Sequence, residues 1–180
     1  MEFPQLTRRE ADDSLIPGKA RAVIGMRRAG KTSFLYQCLA DRLASGTARE
    51  KLVYFNFEDE RLSGIDVTDL GAVLDAYYRM HPSFRQQETI TWCFDEIQVV
   101  AGWESFIRRV LDSEKVEVFL SGSSARMLSR EVATSMRGRA LETVMSPFSF
   151  REFCSARGVS VVGKNLSAAN RSRLEASFDE

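Results

Sequence analysis

Short apolar runs alternate along the chain with stretches whose apolar residues recur every three or four positions. The first pattern predicts buried strands, and the second predicts helices with one apolar face. Five runs are predicted strands: 20–26 (ARAVIGM), 52–57 (LVYFNF), 89–94 (TITWCF), 116–120 (VEVFL) and 140–145 (ALETVM). Between them, 31–44 is a predicted helix with Leu35, Leu39 and Leu43 spaced by four. A helix is predicted over 67–80, with a break near His81-Pro82, because a residue before proline is pushed out of the helical region. Residues 102–112 carry Trp103, Phe106, Ile107, Val110 and Leu111 on one helical face. Helices are also predicted over 125–136 and 150–157. Strands alternating with helices predict an α/β domain with a mainly parallel sheet.

After Val162 the apolar positions thin out, and Ser, Ala, Asn and Arg dominate. The expected division is an N-terminal segment over 1–17, one domain over 18–157 and a polar tail over 158–180. The tail is read as frayed, or as the start of a region cut short.

Composition narrows the classes. The chain has 180 residues, 44% hydrophobic and 28% charged, as expected for one globular domain. No run approaches the roughly 18 apolar residues of a membrane span, and residues 1–10 lack a signal-peptide core, so no membrane role and a cytoplasmic location are expected. Lys and Arg number 25, as do Asp and Glu. The resulting zero net charge gives no support to a nucleic-acid partner, although a local basic patch stays open. Cys38, Cys93 and Cys154 form no disulfide framework, which fits a reducing compartment. With His81 the one histidine, His-based zinc sites and triads have little to work with.

Residues 25–32, GMRRAGKT, fit G-x-x-x-x-G-K-[ST]. A loop that wraps a phosphate with backbone N–H groups needs glycine at its bends, here Gly25 and Gly30. The following helix adds unpaired N–H groups and the positive end of its dipole. The expected binding set runs through Gly25, Met26, Arg27, Arg28, Ala29, Gly30, Lys31, Thr32 and Ser33. Lys31 is expected on the β- and γ-phosphates, and the Thr32 hydroxyl on Mg²⁺. One of Arg27 and Arg28 lies along phosphate oxygens, or both point to solvent or pair with neighbouring acids.

The third predicted strand ends in Asp95 and Glu96. Beside a phosphate loop, Asp95 is expected in the Mg²⁺ shell and Glu96 as the general base that polarises water. The alternative is that both acids merely cap a turn. The fourth strand leaves into Ser121-Gly122-Ser123-Ser124. Ser123 is expected to read the γ-phosphate, with Ser121 and Ser124 behind it; the same serines suit a helix N-cap. Among the arginines downstream (Arg126, Arg130, Arg137 and Arg139), the pair around Gly138 is the most suggestive of an arginine finger. Glu58 to Arg61 are read as a solvated loop, the alternative being that one of them assists the metal site from the side.

Taken in order, VIGMRRAGKTSFL, FNFEDERL, CFDEIQ with GWESFIRRV, FLSGSSARML, SMRGRALE and SPFSFREF resemble bacterial and archaeal AAA-domain ATPases over about residues 18–155. The resemblance implies a three-layer α/β/α sandwich of the P-loop type, with the loop and acidic strand as its Walker A and Walker B runs. It implies ATP or ADP and Mg²⁺ as ligands, Ser123 at the first sensor position, and Arg139 acting on nucleotide between subunits of a homo-oligomer. It also implies a C-terminal domain in cis, so that the present chain is expected to be a fragment. The expected activity is Mg²⁺-dependent ATP hydrolysis coupled to conformational change. The rivals are a nucleotide-binding switch with little hydrolysis and a small-molecule phosphotransferase.

Overall fold

The computed structural model of the chain describes residues 4, 6–122, 135–136 and 138–159. Among these, β1 (Ala20–Ile24), β2 (Leu52–Asn56), β3 (Ile90–Asp95), β4 (Val116–Gly122) and β5 (Ala140–Val144) form one sheet in the order β2-β3-β4-β1-β5. Every neighbouring pair is parallel. Helices α1 (Lys31–Ala44), α2 (Val67–Met80), α3 (Trp103–Ser113) and α4 (Phe150–Ala156) complete the fold. These elements match the predicted ones closely. Most of the helix predicted over 125–136, and nearly all of the tail, lie outside the described residues.

Alternation along each strand sorts the side chains into two layers. Ile90, Trp92 and Phe94 of β3 join the core under α2 and α3, as do Ala20, Ala22 and Ile24 of β1 and Val118 and Leu120 of β4. Val23, Cys93 and Phe119 face the other way, against Phe34, Leu35, Cys38 and Leu39 of α1. Helices therefore cover both faces, so β1 and β3 are buried at every position and read as unbroken apolar runs. Trp92 stacks on Phe94 at 5.6 Å and meets Tyr77 of α2 edge-on at 5.1 Å. Each such side chain contributes about 1.5–3 kcal/mol through burial.

The N-terminal segment lies along α1. The Gln37 amide clamps the Arg9 backbone, accepting from its N–H at 2.7 Å and donating to its carbonyl at 3.1 Å. Arg8 pairs with Asp41, and Ala11 and Leu15 pack on the α1 core. Arg21, buried on β1, reaches back to Ser14 and Asp12. A segment without regular structure is thus fixed by charge and hydrogen bonding to the layer it covers.

Candidate functional site

In a parallel sheet the strand ends that point the same way gather along one edge, and ligands bind there. Gly25 follows β1, Asp95 ends β3, and Ser121 and Gly122 end β4, which lies between them. The loop from Gly25 to Gly30 rises from this edge into α1. Both glycines are required by the space around them. A Cβ on Gly25 would lie 2.4 Å from the Met145 carbonyl oxygen. Gly30 has φ +88°, and a Cβ there would lie 2.5 Å from Nη1 of Arg9. Arg28 is also left-handed, with φ 62°. Such alternation of helical hand curls successive N–H groups toward one point.

Helix α1 starts at Gly30 with no side-chain cap and no acid in its first turn. By contrast α2 and α4 each open with a capping box, Asp66 with Asp69 and Ser149 with Glu152. The bare first turn of α1 keeps its N–H groups and positive dipole end for a ligand. Arg27, Arg28, Gly30, Lys31, Thr32, Ser33, Glu58 and Glu96 line an open cavity of about 740 Å³ at this point.

Lys31 is buried, and its ammonium donates to the carbonyls of Gly25 and Met26, both at 3.2 Å. It also stands 3.9 Å from Oε1 of Glu96. Asp95 is 1% exposed and surrounded by hydroxyls. Oδ2 accepts from Thr32 Oγ1 at 2.7 Å and from the Tyr54 hydroxyl at 2.7 Å, while Oδ1 accepts a short bond from Ser121. Glu96 is left-handed, with φ 56°, a conformation that costs a non-glycine residue energy and is held only by its surroundings. Its N–H donates to Ser121 Oγ at 3.2 Å, and Gln98 donates to Oε2 at 2.6 Å.

The structure thus brings together the loop, Lys31, Thr32, Asp95 and Glu96 as the sequence predicts. Asp95 bonds to Thr32, while Glu96 stands at the start of the short turn Ile97–Val99, caps it with no side-chain bond and lies 3.9 Å from Lys31. Met26 is 61% exposed and presents only its backbone to the loop. Arg27 reaches Glu58 at 3.5 Å, both exposed. Ser123, Ser124, Arg126, Arg130 and Arg137 lie outside the described residues.

Arg139 does not join the site within the chain. Its carbonyl bonds to the N–H of Ala20 where β1 begins, and its guanidinium pairs with Asp112 at the end of α3. The loop begins at the other end of β1, a strand of 5 residues, about 16 Å away at the strand rise of ~3.3 Å per residue.

Three residues of the site were not singled out for these roles from sequence. Tyr54 is one; period-2 reading of LVYFNF does put it on a face with Leu52 and Asn56, away from the aromatic pair Phe55 and Phe57. Burial, joined by Tyr36 and Asp95, pushes the Tyr54 phenol far up, so it keeps its proton and donates. Ser121, expected behind Ser123, touches both acids. Arg9 is buried and donates to the carbonyls of Ala29 at 2.5 Å and Ser146 at 2.6 Å and to Glu152 at 2.9 Å. No local motif marks Arg9, since these partners stand far along the chain.

Residues 18–154 match a family described as AAA domain. An uncharacterized protein of Methanocaldococcus jannaschii is 38% identical over 153 residues, covering 85% of this chain and 32% of its own length. An uncharacterized protein of Haemophilus influenzae is 34% identical, over 77% of this chain and 34% of its own length. The chain therefore spans about a third of the curated relatives it matches. Among solved structures, that of C. elegans PCH-2 aligns with a TM-score of 0.46 and 13% identity, over 84% of this chain and 43% of its own. No described helix is long and apolar enough to cross a membrane.

Proposed function

The chain belongs to the AAA domain family, whose members are in general nucleotide-binding ATPases, and from that premise we propose that it binds ATP with Mg²⁺ and hydrolyses it. The observation that carries this reading is the 2.7 Å bond from Thr32 Oγ1 to Asp95 Oδ2, at the foot of the uncapped first turn of α1. A hydroxyl with lone pairs to spare, and a carboxylate beside it that can hold a metal-bound water, are what a phosphate-bound Mg²⁺ would require of the protein here.

ATP is the substrate. The loop amides and the first turn of α1 receive its phosphates. Lys31 leaves the carbonyls of Gly25 and Met26 for the phosphate oxygens, and so draws away from Glu96 Oε1. Glu96 then accepts the proton of the attacking water. Thr32 and Asp95 would hold the shell of Mg²⁺, which when bound would supply neutralising charge to the phosphates. Hydrolysis exchanges these partners around Lys31, and this exchange couples nucleotide state to conformation.

One observation favours a second reading, a nucleotide switch that hydrolyses little: Glu96 is held by Lys31 and Gln98. The experiment that separates the readings is calorimetric titration with Mg²⁺–ADP and Mg²⁺–ATP beside phosphate release. Lys31→Ala is expected to lose binding. Glu96→Gln is expected to keep binding and lose turnover by about 10²–10⁴-fold. Binding without turnover in the unmutated chain supports the switch, and no binding overturns both. Arg139, far from its own loop, is proposed to act across an interface on a neighbouring copy's site. A C-terminal domain in cis is likewise a proposal, one that the greater length of the relatives supports.

A further inference from the structure

Asp95 takes two hydroxyl bonds that the mechanism above does not use, from Ser121 on Oδ1 and from Tyr54 on Oδ2 at 2.7 Å, and the second comes from the neighbouring strand β2. The register of β2 on β3 sets Tyr54 beside Cys93 and Asn56 beside Asp95. Tyr54 therefore stands one pleat behind Asp95 on the α1 face, and a tyrosine is long enough to span that diagonal. Its ring already has a packing partner in Tyr36, at 4.7 Å. Phenylalanine would keep that ring contact, so packing alone does not call for the hydroxyl, which bonds to Tyr36 as well as to Asp95.

A carboxylate offers about four acceptor positions, two on each oxygen. Thr32 and Tyr54 fill both positions on Oδ2, and Ser121 fills one on Oδ1. We propose that Tyr54 is a positioning residue for the metal end of the site: its hydroxyl closes Oδ2, fixes the carboxylate plane and leaves the open position of Oδ1 for a metal-bound water. The proposal rests on the reading of Thr32 and Asp95 as the metal pair. Partners of this kind, which hold a metal's ligands rather than the metal, typically change metal affinity 10–100-fold when removed.

The test is calorimetric titration of ADP in excess Mg²⁺ and again in EDTA, on the unmutated chain, Tyr54→Phe and Asp95→Asn. The ratio of the two affinities isolates the metal's share and is internal to each preparation. Tyr54→Phe is expected to lower that ratio about tenfold or more, with affinity in EDTA and melting temperature unchanged. An unchanged ratio overturns the proposal, as does an equal loss in both media or a Tyr54→Phe chain that does not fold. Asp95→Asn separates the two levels. If it abolishes the ratio while Tyr54→Phe does not, Tyr54 alone is misassigned. If Asp95→Asn also leaves the ratio intact, the metal pair itself is wrong.

Discussion

Arg9 shows how much one side chain can tie together. Its guanidinium joins the phosphate loop, the turn after β5 and α4, while its backbone is clamped by α1. Arg9→Ala leaves the Glu152 carboxylate buried without its cation and is expected to cost about 3–5 kcal/mol. Chemical denaturation checks that figure, and nucleotide affinity is expected to fall with it because Ala29 loses its anchor. Gly25→Ala is expected to destabilise by about 1–3 kcal/mol, because the new Cβ meets a backbone carbonyl that cannot move aside. A melting curve reads this directly. At this scale legibility depends on distance along the chain. Gly25, Gly30, Lys31 and Thr32 sit within one loop, so their spacing carries their chemistry. Arg9 and Tyr54 act on residues 20 and 41 positions away, and no local pattern encodes such a meeting.

The contrast between α1 and α4 is the clearest case at the scale of elements. Helix α1 leaves its first turn bare for a ligand; α4 fills its own with Glu152. Burial opposes ionisation of Glu152, but the N–H groups of Ser149 and Glu10 and the Arg9 guanidinium outweigh it and hold its pKa down to about 2. A depressed carboxyl stabilises the fold at pH above its ordinary value of 4.5 and loses that contribution as pH falls toward about 2. The melting temperature is therefore expected to drop across this window, and Glu152→Gln to flatten the drop. Element types were readable because burial on both faces writes unbroken apolar runs into β1 and β3. Strand order was not readable, since every strand of a parallel sheet carries similar runs. The position of β4 between β1 and β3 comes from packing. It explains why Ser121, at the end of β4, bonds to both acids.

For the molecule as a whole, the sheet separates the candidate site from Arg139. The loop and the acids lie at the carboxyl edge, and Arg139 lies at the amino edge. If Arg139 serves a neighbour, Arg139→Ala and Lys31→Ala chains, each inactive alone, are expected to regain part of the turnover when mixed. Mixing without recovery removes Arg139 from catalysis. The cysteines offer a check on the core between those edges. Burial raises the Cys38 thiol to about 12 and pushes Cys93 well above its ordinary value, so both stay protonated. Their reaction with a thiol reagent is expected to wait on opening of the fold, at a rate that denaturant accelerates.

The match to the family described as AAA domain starts at residue 18, yet the carbonyl of Ala29 is held by residue 9. The matched stretch and the folded unit therefore have different edges here. A gene trimmed to the matched stretch would encode every residue of the phosphate motif and omit the cation that shapes it. Expression boundaries for this protein belong upstream of Arg8.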